Sequence, residues 1–371
     1  MEDLVTAERL SEGTSDNRNI HRSQIPMKVL LTGAEGYIGS VLAPMLLSHG
    51  FEATGLDTGF YRAGWLYNDA KDKPAILSRD VRNITAKDLE GYDAVLHLAE
   101  LSNDPLCEQD PEKTFAINHR ASVALAKAAK DAGVVRFIYT SSCSIYGAGG
   151  ADMKTEESAP NPQTAYARCK ELVEKDVRPM ADAYFSPTFL RNATAFGISP
   201  RMRFDIVLNN LAGLAWTTHK ISMSSDGTPW RPLVHVQDIC DAIIAVLDAP
   251  RDDVCGEILN VGDESHNYTV KEIAEAVAEA FPGCKLEFGD NGADNRSYRV
   301  DFSKIKRVLP GYQAKRDAHY GAEQFRKLFE RIDMSPETFN SPPYTRLKML
   351  NELVRTAQLD GDFKWSAYDF S

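Results

Sequence analysis

The chain has 371 residues, 43% hydrophobic and 26% charged, a balance that excludes a wholly disordered polypeptide. Its 42 basic and 53 acidic side chains give a net charge of −11, which argues against bulk binding of nucleic acid or an anionic membrane surface. The longest apolar stretch, Val41–Leu47, contains Pro44 and falls far short of the ~20 residues of a membrane span.

Residues 1–26 are polar, carry no apolar secretory core, and read as a loose tail. From Met27 a strand–turn–helix rhythm begins. Strands are expected at Met27–Thr32, Glu52–Asp57, Ala75–Ser78, Ala94–Leu98, Arg136–Thr140 and Pro187–Arg191. Helices are expected at Tyr37–His49, with a kink or early end at Pro44, and at Pro111–Ala132 and Gln163–Tyr184. This alternation predicts an α/β fold, a doubly wound parallel sheet with helices on both faces. Residues 27–192 would form that unit and 193–317 a smaller, less regular α/β part with helices at Val236–Leu247 and Val270–Phe281. Residues 318–371 add amphipathic helices at Ala318–Ile332 and Tyr344–Gln358. The six cysteines form no CxxC pair, which suggests free thiols, a reducing cytoplasm and no metal site.

Gly33, Gly36 and Gly39 recur at three-residue spacing, directly after the first strand and around Tyr37 and Ile38 at the start of a helix. Missing β-carbons at such a turn let a pyrophosphate approach backbone N–H groups and the helix N-terminus. Asp57 follows Gly39 by eighteen residues, at the end of the second strand. A carboxylate there suits the ribose hydroxyls of NAD and repels the 2′-phosphate of NADP. Asp80 and Val81 end the third strand, where they would meet an adenine.

Tyr166 and Lys170 are four apart, on one helix face. An isolated phenol titrates near pH ~10, so it needs a neighbouring cation to work as a base near neutrality. Upstream, the run Thr140–Gly147 closes the fifth strand and offers Ser142 as a hydroxyl that would share a substrate oxygen with Tyr166.

With these residues in place, the chain resembles the extended short-chain dehydrogenase/reductases of the nucleotide-sugar epimerase/dehydratase family over about residues 27–310. The resemblance is carried by TGxxGxxG, the acidic strand end, His97–Ala99, the SSxSxYG run, YxxxK and the RPLVHVQD run at Arg231–Asp238. It implies NAD held by Gly33, Gly36, Tyr37, Ile38, Gly39, Asp57, Asp80, Val81, Leu98, Ala99 and Asn118. It also implies Ser142, Tyr166 and Lys170 as catalytic residues, the last two also on the cofactor. Asn192, Arg201, Asn209, Arg231 and Arg296 would then grip a nucleotide-diphosphate sugar, the arginines being suited to bidentate phosphate contacts.

Several positions depart from the family pattern. Cys143 and Ser144 stand where 4,6-dehydratases carry an Asp-Glu pair, Thr194 replaces an expected Asn, and Glu100 sits where a small residue is usual. The segment Arg201–Asp205 differs from that of the galactose epimerases, which leaves the sugar open. The expectation is an NAD-dependent 4-epimerase acting through a 4-keto sugar. The alternatives are a net C4 dehydrogenase or ketoreductase and a non-catalytic NAD sensor. A homodimer is expected, the resemblance implying a seam on the two helices Pro111–Ala132 and Gln163–Tyr184, where Ala121, Leu125, Ala128, Leu172 and Val173 either form that seam or pack on the sheet.

Overall fold

A computed structural model describes residues 26–148, 152–291 and 297–366. The expected polar tail, apart from Pro26, and Arg296 lie outside the described residues. Seven parallel strands form the central sheet: β1 (Lys28–Thr32), β2 (Glu52–Asp57), β3 (Ala75–Ser78), β4 (Ala94–His97), β5 (Arg136–Ser142), β6 (Ser186–Asn192) and β7 (Ile258–Val261). Their order across the sheet is β7-β6-β5-β4-β1-β2-β3. After β3 the chain crosses back to the other side of β1, so β1 and β4 flank the point where strand order reverses, the usual ligand crevice of such sheets.

Both faces of the sheet are covered. Helix α1 (Gly39–Ser48) and helix α4 (Val236–Asp248) bury Leu42, Leu46, Ile239 and Ile243 against one face. Helix α2 (Ala121–Asp131) and helix α3 (Ala165–Val177) bury Leu125, Val173 and Val177 with Phe137, Tyr139 and Phe189 on the other. Burial on two sides explains why central strands such as β1 and β4 read as continuous apolar runs rather than alternating ones.

Two helix expectations need correction. Of the kink or early end expected at Pro44 the early end does not occur, since helix α1 runs through Pro44 to Ser48. The cost of the missing N–H is offset by apolar burial of Leu42, Ala43 and Leu46 around it. The stretch expected as one helix from Pro111 is helical at Pro111–Thr114, widens into a π-helical turn at Phe115–Arg120, and resumes as α2.

The rest of the chain packs over the C-terminal edge of the sheet. Strands Thr194–Phe196, Trp230–His235 and Asn267–Thr269 form a small sheet, and Lys220–Ser225 pairs with Lys285–Asn291. Helices Val207–Thr218, Val270–Ala280 and Ala318–Ile332 bury a second core around Phe204, Phe325 and Phe329. Finally, helix α5 (Arg346–Arg355) sets Met349, Leu350 and Leu353 against Leu106, Cys107, Ile117 and Ala165. Among the described residues, no helix is long and apolar enough to cross a membrane.

Candidate active site

A cavity of about 320 Å³ opens at the C-terminal ends of β1, β2 and β4–β6. Gly33 sits at a φ of +72°, and a β-carbon there would lie 2.9 Å from the Ala99 nitrogen. At Gly39 a β-carbon would lie 2.0 Å from the Gly33 carbonyl oxygen. The turn therefore closes only with glycine at both positions, and it leaves backbone at the cavity wall. Asp57 accepts hydrogen bonds from the backbone N–H groups of Glu35 (3.0 Å) and Gly59 (2.8 Å), which fixes its carboxylate at the tip of β2. Burial pushes that carboxyl above the usual range.

The chemical end of the cavity lies where β5 meets α3. Ser142 ends β5, its hydroxyl accepts the Ser144 N–H at 3.1 Å, and it lines the cavity together with Tyr166. Lys170 is buried, donates to the Thr140 carbonyl, and lies 2.5 Å from a Glu100 carboxylate oxygen. The other Glu100 oxygen accepts the Tyr139 hydroxyl at 2.6 Å. Burial pushes the Glu100 carboxyl up against the pull of Lys170. Burial alone would push Lys170 down, but Glu100 and Tyr166 beside it more than reverse that. The Tyr166 phenol is raised by burial, and Glu100 works against the lowering effect of Lys170. The acidifying lysine expected from YxxxK is thus engaged by a carboxylate that the motif does not contain.

The other expected cofactor residues follow the same wall. Gly36, Tyr37, Ile38, Asp80, Val81, Leu98 and Ala99 all line the cavity. Asp80 is also held by Arg82, whose Nε bonds both of its oxygens at 3.0 and 2.9 Å. Asn118 does not reach the cavity. It sits in the π-helical turn, accepts the Leu101 N–H at 2.9 Å and donates to the Leu101 carbonyl at 2.7 Å. That pair of bonds pins the loop after β4 that carries Glu100.

The expected substrate residues divide. Asn192 lines the cavity, and its side-chain oxygen has no hydrogen-bond partner among the described residues. Arg201 does not line it: the guanidinium is buried, donates to the carbonyls of Glu35 and Tyr61, and lies 4.4 Å over the Trp65 ring. Asn209 is likewise buried, joining Gly197, Arg203 and the Tyr37 hydroxyl. The bonds that Arg201 and Asn209 make are to the fold's own groups, although Arg201 Nη2 is buried with no hydrogen-bond partner among the described residues. Arg231 is paired with Tyr268 in the small sheet, donates to the Trp230 carbonyl at 2.8 Å, and stays off the cavity wall.

Sequence reasoning missed Tyr61, Arg82, Tyr139 and Arg346, of which all but Tyr139 line the cavity. Arg203, in the segment noted as unusual, also lines it, bonding both oxygens of Asp205 and the Ser102 hydroxyl. Arg346 offers no motif; it is one basic residue at the start of an amphipathic helix.

The glycine cradle and the carboxylate at the tip of β2 fit a dinucleotide, with its diphosphate against the turn and a ribose at Asp57. Known proteins resemble this chain over most of its length. A UDP-glucose 4-epimerase from Mycolicibacterium smegmatis is 31% identical over 302 residues, covering 77% of this chain and 93% of its own. MoeE5, solved with UDP-glucose and NAD, superposes with a TM-score of 0.70 at 27% identity, covering 83% of this chain and all of its own. An NAD-dependent NDP-hexosamine 5,6-dehydratase, TunA, shares the fold with a TM-score of 0.73 at 21% identity, over 83% of this chain and 100% of its own. The family described as the NAD dependent epimerase/dehydratase family matches residues 29–262. On that match, and on the cavity it encloses, this chain belongs to the NAD-dependent epimerase/dehydratase family, whose members are nucleotide-sugar enzymes of the extended short-chain dehydrogenase/reductase type.

Proposed function

We propose that the chain is a nucleotide-sugar 4-epimerase. Bound NAD supplies a positively charged hydride acceptor that can return the hydride within the same site. With that positive charge beside it Tyr166 would ionise, and its phenolate, next to Ser142, takes the proton of the C4 hydroxyl and later returns it, while Ser142 holds the same oxygen. Lys170 and Glu100 set the charge beside that phenol. A 4-keto sugar that turns over in the cavity before reduction gives the inverted alcohol, with no net redox change.

One observation carries this reading over dehydration. Loss of water from a 4-keto sugar needs an acid and a base near C5 and C6, and the residues after Ser142 supply neither. The Cys143 thiol is fully buried, contacts the Arg191 carbonyl at 3.1 Å, and is held well above the usual thiol range by burial. Ser144 lines the cavity only as a neutral hydroxyl. Glu100 is already engaged by Lys170 and Tyr139.

The test is to incubate the NAD-loaded protein with a panel of nucleotide sugars, UDP-glucose and UDP-glucuronic acid first, and follow products by NMR and mass spectrometry. An isomer of unchanged mass is expected. A product lighter by one water would overturn the reading, as would stoichiometric accumulation of reduced cofactor with a keto sugar.

A further inference from the structure

Helix α5 lies beyond the matched residues 29–262, yet its first residue reaches the cavity. Arg346 is 3% exposed, and its guanidinium lies 3.9 Å over the Tyr61 ring. Its Nη1 is buried and has no hydrogen-bond partner among the described residues. The other guanidiniums on the cavity wall are bonded: Arg203 to Asp205 and Ser102, Arg82 to Asp80, and Arg79 to Asp88. The carboxylates near Arg346 are also committed. Asp205 takes both Arg203 and the backbone N–H of Arg346, and Asp57 takes the N–H groups of Glu35 and Gly59.

A buried cation with an unfilled N–H is costly, and folds normally pair such a group. Here it is pre-aimed by stacking on Tyr61, in the cavity that opens on the glycine turn. We infer that Arg346 is an anion-binding residue of this site, and that it donates to a phosphate of a nucleotide diphosphate held there. Helix α5 thereby becomes part of the binding site rather than an appendage.

The segment after it reinforces this placement. Arg82 donates to the carbonyls of Asp362 (2.7 Å) and Phe363 (3.2 Å), and the Trp365 indole donates to the Thr58 carbonyl at 2.7 Å. Residues 359–366 are thus fastened across the ends of β2 and β3, beside Asp57 and Asp80, and they hold α5 over the cavity.

Two ligands bring a diphosphate, the cofactor and the sugar nucleotide, and the inference rests on the NAD and nucleotide-sugar reading of the cavity. Full-length parent, Arg346→Gln and Arg346→Lys would be stripped of nucleotide and titrated calorimetrically with NAD and with adenosine. The NAD-loaded proteins would then be titrated with UDP. A charge-assisted bond lost to glutamine should weaken one titration about tenfold or more. Loss in the NAD titration with adenosine unchanged assigns the cofactor's phosphate; loss in the UDP titration alone assigns the substrate's. Arg346→Lys, which keeps charge but not the fork, should fall in between. A folded Arg346→Gln within twofold of the parent for both ligands would overturn the inference, as would an equal loss for adenosine. Should the glutamine variant not fold, a lysine variant with parent affinity for both ligands overturns it. A parent that binds neither NAD nor UDP would instead count against the cavity's reading.

Discussion

Glu100 is the residue that most alters the expected chemistry. In the YxxxK arrangement a free lysine acidifies the phenol, but here its charge is balanced 2.5 Å away. Burial holds Tyr166 protonated in the ligand-free protein, and Glu100 adds to that. Replacing Glu100 with glutamine removes a negative charge and leaves Lys170 to act on Tyr166. The limb of the pH–rate profile that rises as the phenol ionises should then move to lower pH by about one unit or more. A limb that stays put would show that Glu100 does not tune Tyr166.

His97 shows the opposite response to burial. It bridges the hydroxyls of Thr32 (2.8 Å) and Ser122 (2.7 Å), and burial, helped by the Lys170 charge, drops it to about 3. The unfolded chain binds this proton near pH 6.5, the folded chain only near 3, so between those values the unfolded state holds more protons. Stability must therefore fall as pH drops below about 6.5. From pH 7 to 5 this one residue accounts for about 2 kcal/mol. Urea denaturation at the two pH values measures it, and His97→Asn, which cannot titrate, should show a slope smaller by that amount.

At the scale of elements, most of the sheet was readable. Six of its strands were expected within two residues of their ends, β2 and β3 among them at their observed bounds, and burial on both faces writes central strands such as β1 and β4 as apolar runs. Strand β7 was not anticipated. Ile258–Val261 has only four residues, too short an apolar run to stand out after the helix that ends at Asp248. The π-helical turn was also invisible, since widening one turn leaves the apolar periodicity nearly intact. Its effect is local and large: Asn118 within it satisfies both the N–H and the carbonyl of Leu101. Asn118→Ala would leave two buried backbone groups unpaired, at about 1–3 kcal/mol each. Chemical denaturation should report that loss, and NAD affinity should fall with it as the loop carrying Glu100 loosens. An alanine variant as stable as the parent would mean that water replaces the amide.

The candidate site divides along the same line. Motif residues that shape backbone, such as Gly33 and Gly39, were legible because only glycine closes that turn. Residues that act through long side chains were not. Arg201 and Asn209 belong to the fold's own polar network, whereas Arg346 enters the cavity from a helix with no motif.

For the whole molecule, the expected two-fold seam must be redrawn. Ala121, Leu125 and Val173 are consumed by the core beneath α2 and α3. Ala124 is exposed, and Ala128 and Leu172 remain half-buried, small enough at the two alanines for a helix to approach closely. A homodimer would use this narrower face. Sedimentation at micromolar concentration should show a dimer, and Ala124→Glu should give monomers; a parent that sediments as a monomer would remove the proposal.

The fastening of residues 359–366 has a consequence for the order of folding. The bond between Arg82 and the Phe363 carbonyl joins positions 281 residues apart, and the one from Trp365 to Thr58 spans 307. Contacts so remote cannot nucleate structure, because closing such a loop gains nothing until the intervening chain is already compact. The sheet must therefore assemble first and the strap dock afterwards. In a refolding time course, far-UV circular dichroism should recover ahead of the ability to capture NAD. Simultaneous recovery would mean that the nucleotide site matures without its strap. During that interval the protein would have its secondary structure but an unfinished ligand site, so nascent molecules compete poorly for scarce cofactor until the last contacts form.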